Sequence, residues 1–220
     1  MKFFLLLILF VPFEVCGQHG YSAPPHGNAI GRVETFATVD GRPFFPKQYV
    51  DVNGSPNMFD DFIPSKIILN DGKVINDIRT NFNLVTSELI YLDETGQTMV
   101  ASTSTVKSVQ IGSRTFITTP ARNTYFEILS TDGKAMLVRY TKKVIMETKP
   151  YNSATVQKDF RTNESHLLIV DGNLTEVKSL RNIFEVLPSA DQLKEFAKKE
   201  KLKQKSVDSW VKIVDYYNSI

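Results

Sequence analysis

Hydrolysis by a serine or threonine needs a base within hydrogen-bond reach of the hydroxyl, and histidine usually supplies it. The chain holds His19, His26 and His166, and only His166 lies in a segment patterned to fold. It opens the apolar stretch His166 to Val170 with no nucleophile-elbow sequence beside it, so it reads as a partly buried structural residue. Asp60-Asp61 and Asp93-Glu94 are adjacent carboxylates beside turns. Adjacent side chains point apart, although a glycosidase-like pair can also be assembled from distant strands. The phosphate-cradling patterns GxxxxGK[ST] and GxGxxG do not occur, and Asp171-Gly172-Asn173 is too short for a twelve-position calcium loop. Asn163-Glu164-Ser165 and Asn173-Leu174-Thr175 match the glycosylation sequon, which matters only in a eukaryotic secretory pathway. The leading reading is therefore a non-enzymatic protein without a cofactor, with a hydrolase as the third choice.

Two groups of residues suit binding better than catalysis. The run Lys194 to Lys205 carries six lysines and two glutamates, and Lys198, Lys199, Lys201, Lys203 and Lys205 are candidate contacts for an anionic partner. Lipid headgroups are one such partner, each nearby lysine adding about 1 kcal/mol; a solvated helix end is the simpler account. Thr148 to Ser165 reads as a long polar connection between strands, and loops of that length are often functional or disordered. Its aromatic residues Tyr151 and Phe160 are candidate contacts, with packing onto the sheet as the alternative.

The N-terminus speaks to location. Lys2 precedes an eleven-residue apolar run, Phe3 to Phe13, and then Val15-Cys16-Gly17. A charged start, a short apolar core and small residues before a cut form a secretory signal. The run falls short of the roughly 20 residues that span a bilayer. Cleavage is expected after Gly17, so residues 1–17 are a signal peptide and the mature chain begins at Gln18. Cys16 is the only cysteine; Glu14 disfavours a lipoprotein signal, and its removal would leave no thiol for a disulfide or a metal. Export to a periplasm, cell envelope or cell surface follows as the expectation. A net charge of +2 with no aromatic-and-basic stripe argues against nucleic acid.

These residues need a scaffold, and the chain patterns one. Pro24, Pro25, Pro43 and Pro46, with glycines at 20, 27, 31 and 41, mark residues 18–46 as a flexible arm, with Val33 to Val39 able to add one strand. His19 and His26 in that arm form too weak a set for a metal site. From residue 47 to 179 apolar residues alternate with polar ones, as in Ile78, Thr80, Phe82 and Leu84, so one face is buried. Gln48 to Val52 begins the pattern, and Val144 to Met146 can prolong a later ladder. Asp71-Gly72, Gly112-Ser113, Asp132-Gly133 and Asp171-Gly172 fall between apolar runs and predict hairpins. No helix separates successive strands, which argues against parallel topology. From residue 180 to 220 the period becomes helical: Leu180, Ile183, Phe184 and Leu187; then Leu193, Phe196 and Ala197; then Trp210, Ile213 or Val214, and Tyr217. Ser189 with Gln192 has the capping-box form, and Ser206 can cap the last helix.

Gly54-Ser55-Pro56, Phe59-Asp60-Asp61, the hairpin series and the close on Asp215-Tyr216-Tyr217-Asn218 together resemble exported, uncharacterised β-rich proteins found in Bacteroidota-type bacteria. The resemblance covers the chain from about Val50 onward, and what it implies is export and a β-rich fold. The expected fold is mainly β (α+β): an antiparallel meander curling into a barrel, half-barrel or roll, with two or three C-terminal helices packed on the same domain. The expected role is an envelope protein that binds a protein partner or ligand, the alternative being a carrier that encloses lipid or another apolar molecule in its sheet.

Overall fold

The structure is a computed structural model that describes residues 39, 41–47, 49–119, 122–149, 151 and 156–220. Residues 1–17, expected to be a signal peptide and including Cys16, lie outside the described residues, as do His19, His26 and most of the expected arm. Twelve strands form one sheet: β1 (Arg42–Pro43), β2 (Val52–Asn53), β3 (Ile63–Leu69), β4 (Val74–Asn83), β5 (Glu88–Leu92), β6 (Thr98–Val100), β7 (Val106–Ile111), β8 (Arg114–Thr119), β9 (Arg122–Ile128), β10 (Ala135–Thr148), β11 (Gln157–Val170) and β12 (Asn173–Val177). Three helices follow, α1 (Leu180–Val186), α2 (Ala190–Lys199) and α3 (Val207–Ser219). The mainly β fold with three C-terminal helices is thus as expected.

The strand order is β1-β6-β5-β4-β3-β7-β8-β9-β10-β11-β12, and its two ends do not pair, so the sheet is not a closed barrel. It must nevertheless curl. β6 and β7 stand four places apart, about 19 Å in a flat sheet, yet only Ala101–Thr105 join them. That link is folded, not extended, because Thr105 and Val106 both donate their N–H to the Ser102 carbonyl, each at 3.2 Å. Only a strongly bent sheet brings the two strands within reach of so short a connection. The bend encloses a core of Ile67, Ile78, Phe82, Leu89, Tyr91, Val109, Phe116 and Tyr125, joined by Val39 from the N-terminal side. Phe82 packs on Phe116 and Tyr125 with ring centroids 4.6 and 5.2 Å away.

A second core lies under the helices, where Ala135, Leu137, Leu168 and Val177 of the sheet meet Leu180, Ile183, Leu193, Trp210, Ile213 and Val214. Alternation sends Val138, Leu167 and Ile169 to the opposite face, with Phe126. The C-terminal end of α3 is clasped to the β9–β10 turn. Asp215 Oδ1 accepts from Thr131 N and Oγ1 at 2.7 and 2.8 Å, while Asn218 accepts from Ala135 N and donates to the Thr131 and Ala135 carbonyls. Asp171 and Gly172, both at positive φ, make the two-residue turn that the Asp-Gly pair predicts.

Four local expectations change. Arg42–Pro43, placed in the arm, pairs with Val100 and Met99 of β6. Of the described residues in the Gln48 to Val52 run only Val52 is strand, and β2 pairs with β11 in parallel at Lys158 and Asp159; two residues need no crossover helix, which is what the argument against parallel pairing had assumed. Ser189 is left-handed, φ 63 and ψ 33, and makes no side-chain cap; a capping box needs an extended N-cap to turn its hydroxyl over the helix start. Ser206 is extended but caps through its carbonyl, which accepts from Ser209 and Trp210 N–H, and not through its hydroxyl.

Candidate functional site

Two places concentrate features that could carry function: a charged seam between the cores, and the distal half of the β10–β11 hairpin.

The seam is built by register. Glu127 on β9 stands opposite Phe116 of β8 and Arg139 of β10, so its carboxylate rises between Arg139 and the nearby Arg114. Arg114 donates Nε and Nη2 to the two carboxylate oxygens at 2.7 and 2.6 Å, and Arg139 donates Nε and Nη2 to Oε2 at 3.0 and 2.7 Å. Arg139 also lies 3.5 Å from Glu164, and Arg114 rests over the rings of Phe59 and Phe116. Burial works to raise the Glu127 carboxyl, but the hydrogen bonds and charges of the two arginines outweigh it and hold the group below its ordinary range. Two guanidinium groups and two carboxylates balance, so the seam offers no net charge to a ligand.

Farther along β11, His166 meets the Trp210 ring edge-on at 5.4 Å, and its buried Nε2 has no hydrogen-bond partner. Burial is the main cause that pushes its pKa down; Arg139 adds to this and Glu164 opposes it. The ring thus packs against an indole in surroundings that favour its neutral form. Beside the seam, Met58, Phe82, Tyr125, Arg139 and Tyr140 line a cleft of only about 20 Å³, room for roughly one water. Burial raises the Tyr125 phenol, whose hydroxyl is also unpartnered.

Of the adjacent carboxylates, Asp93 serves a turn, accepting from Thr95 N, Thr95 Oγ1 and Gln97 N, and Asp61 is held through its backbone carbonyl, which accepts from Asn81 Nδ2 at 3.1 Å. Asn81, almost fully buried, also bonds the Phe59 N–H and carbonyl. Among the described residues, no group of three or more His, Cys, Asp or Glu side chains could hold a metal ion.

The candidate lysines Lys198, Lys199, Lys201, Lys203 and Lys205 are all exposed. They sit on the end of α2 and a loop fixed by Trp210 Nε1 and Leu180 N, both donating to the Gln204 carbonyl. The connection expected from Thr148 to Ser165 is not a loop. β10 continues to Thr148, β11 begins at Gln157, and their register runs without a shift from Ala135↔Val170 to Thr148↔Gln157. Phe160 is therefore a strand residue, packed edge-on against Tyr49 at 5.2 Å, whereas Tyr151 stands in the short connection, 97% exposed. Polar side chains on both strands hid this pairing, because a hairpin flanked there only by the two residues of β2 has no deep face to bury. The signal that could have found it was the β-branched and apolar run Val144-Ile145-Met146, already noted as able to prolong the ladder.

The two strands are fourteen residues each, about 46 Å long, so the hairpin projects as an arm beyond the cores. Lys143 anchors its root, donating Nζ to the Ser55 and Asn57 carbonyls at 2.8 and 2.5 Å; burial lowers that ammonium's pKa and the Asp60 charge opposes the shift. Among the described residues, five of the eight exposed large apolar side chains lie on or beside the arm: Val50, Ile145, Met146, Tyr151 and Val156. Tyr49, Val50, Val52 and Ile145, with Glu147 and Lys158 at the rim, line an open groove there. No family model, no curated protein and no solved structure matches the chain.

Proposed function

We propose that the protein is an exported, non-enzymatic binding protein of a cell envelope, and that the distal β10–β11 arm is the surface that meets its partner. The observation that carries this reading is the gathering of exposed Ile145, Met146, Tyr151 and Val156 on one projecting element, with exposed Val50 beside it. Apolar groups held out of a core cost solvation, and their collection in one place marks interaction surfaces. Export rests on the signal-like order of Lys2, the apolar run to Phe13 and Val15-Cys16-Gly17. The exposed Lys198 to Lys205 cluster supports a secondary contact with an anionic membrane surface. The carrier reading finds less support: apolar ligands occupy pockets of about 300 Å³ and more, while the bent sheet is filled by Phe82, Phe116, Tyr91 and Tyr125.

The test is retention on washed envelope membranes from the source cell. The wild-type chain should sediment with them, and an Ile145→Lys, Tyr151→Ser variant should bind at least tenfold more weakly with an unchanged circular dichroism spectrum. Equal retention of the two would remove the arm from the reading, and recovery of the native protein from the cytosol would remove export.

A further inference from the structure

Successive residues of a strand aim their backbone N–H and C=O at opposite edges. On β10 the Leu137 carbonyl accepts from Leu129 N on the β9 side, and Lys143 N donates to the Leu84 carbonyl. Odd-numbered residues therefore address the edge away from β11, and the unshifted β10–β11 register carries that parity to the strand end. Pairing with β9 stops at Arg139, and Leu84 is the last neighbour, at Lys143. Beyond it Ile145 and Glu147 aim their N–H and C=O groups outward with no backbone partner among the described residues. Natural sheets blunt such edges with charge, proline or a bulge; this one presents Val144, Ile145 and Met146.

We propose that Val144–Thr148 pairs with the same segment of a second copy, antiparallel about a two-fold axis at Met146. The inference rests on the reading of the arm as the contact surface and names its occupant. Two copies joined through the same edge keep the same sheet face up, so the two residue numbers of each opposed pair sum to an even number. Centring on Ile145 would lay the second copy's Glu147 against Lys143, where Leu84 already sits. Centring on Met146 uses the open length and no more. It sets Ile145 opposite Glu147 of the second copy, giving four backbone hydrogen bonds across the axis, two from each such pair. Val144 then lies beside Thr148 and Met146 beside Met146, so no like charges stand directly opposite. A foreign peptide could use the same donors, but the fit of the segment to itself favours the second copy.

The register is testable by cross-linking. Met146 aims its backbone inward, so its pair is the non-hydrogen-bonded kind, with Cα atoms about 4.5 Å apart, inside disulfide range. In the full chain carrying Cys16→Ser, the Met146→Cys variant should oxidise largely to a disulfide dimer at micromolar concentration. The Val144→Cys variant should form no intermolecular disulfide, since its two thiols would lie about 13 Å apart along the strands. By light scattering the wild-type chain should show twice the monomer mass, and Met146→Lys, which places two ammonium groups on the axis, should weaken the dimer at least tenfold. A wild-type monomer at high micromolar concentration, or equal cross-linking from both positions, would overturn the proposal. Should envelope retention still depend on Ile145 and Tyr151 in that event, only the self-pairing falls; loss of both results would take the arm reading with it.

Discussion

Glu127 shows how one residue joins two cores. Its side chain is 7% exposed and accepts four N–H bonds from Arg114 and Arg139. A buried carboxylate is tolerated only when charge and hydrogen bonds replace its lost water. Replacing it by Gln should cost about 2 kcal/mol at neutral pH, read from the urea midpoint. The same residue predicts an acid response. Its folded pKa lies below the ordinary value, so its stabilisation is present above that value and is lost as pH falls through the folded one. Stability of the Gln variant should therefore decline less steeply below about pH 4.5 than that of the wild type; parallel curves would show that the carboxylate carries no such linkage. The three partners were nearly legible beforehand. Glu127 follows Arg114 by 13 residues and precedes Arg139 by 12, on strands that the alternating pattern marks. What the pattern could not supply was register, since a one-residue slip turns each side chain to the other face.

At the scale of elements, irregular segments are held by clasps and not by deep burial. Lys143 fixes the Ser55–Asn57 segment, Asn81 fixes the bend at Phe59 to Asp61, and Asp215 with Asn218 fixes α3 to the β9–β10 turn. These are the short stretches that carry the resemblance described above, and in the fold each is a point of attachment. The last clasp constrains Gly133, where a Cβ would lie 2.5 Å from Asn218 Cγ. Gly133→Ala should cost 1 to 3 kcal/mol, about the usual cost of forced overlap. On an Asn218→Ala background the same change should cost under about 0.5 kcal/mol, so a double-mutant cycle in urea reads the coupling directly. Equal costs on both backgrounds would mean that the turn moves aside. Hairpins and helical stripes were readable because burial enforces their periods. The capping box at Ser189 failed because the chain after Pro188 enters α2 through left-handed backbone, which no spacing of residue types encodes.

For the molecule as a whole, the helices complete the fold. Leu137, Leu168 and Val177 are buried under α1, α2 and α3, so a chain ending at Lys178 should bind a hydrophobic dye such as ANS and aggregate. A soluble, cooperatively unfolding truncated chain would show instead that the helices are accessory. The curl itself was legible only as a choice among barrel, half-barrel and roll, because strand order depends on which edge each new strand joins. The link Ala101–Thr105 makes that decision, and it also sets a clock. β4, β5 and β6 each pair with the strand just before them, but the far edge of β3 must wait for β7. From the end of β3 at Leu69 to the end of β7 at Ile111, ribosomal rates of 5–20 residues per second leave that edge bare for about 2 to 8 seconds. The outer edge of β10 beyond Lys143 has no such successor among the described residues. One aggregation-prone edge is thus covered within seconds of its synthesis, while the other stays open in the single chain until a second copy meets it.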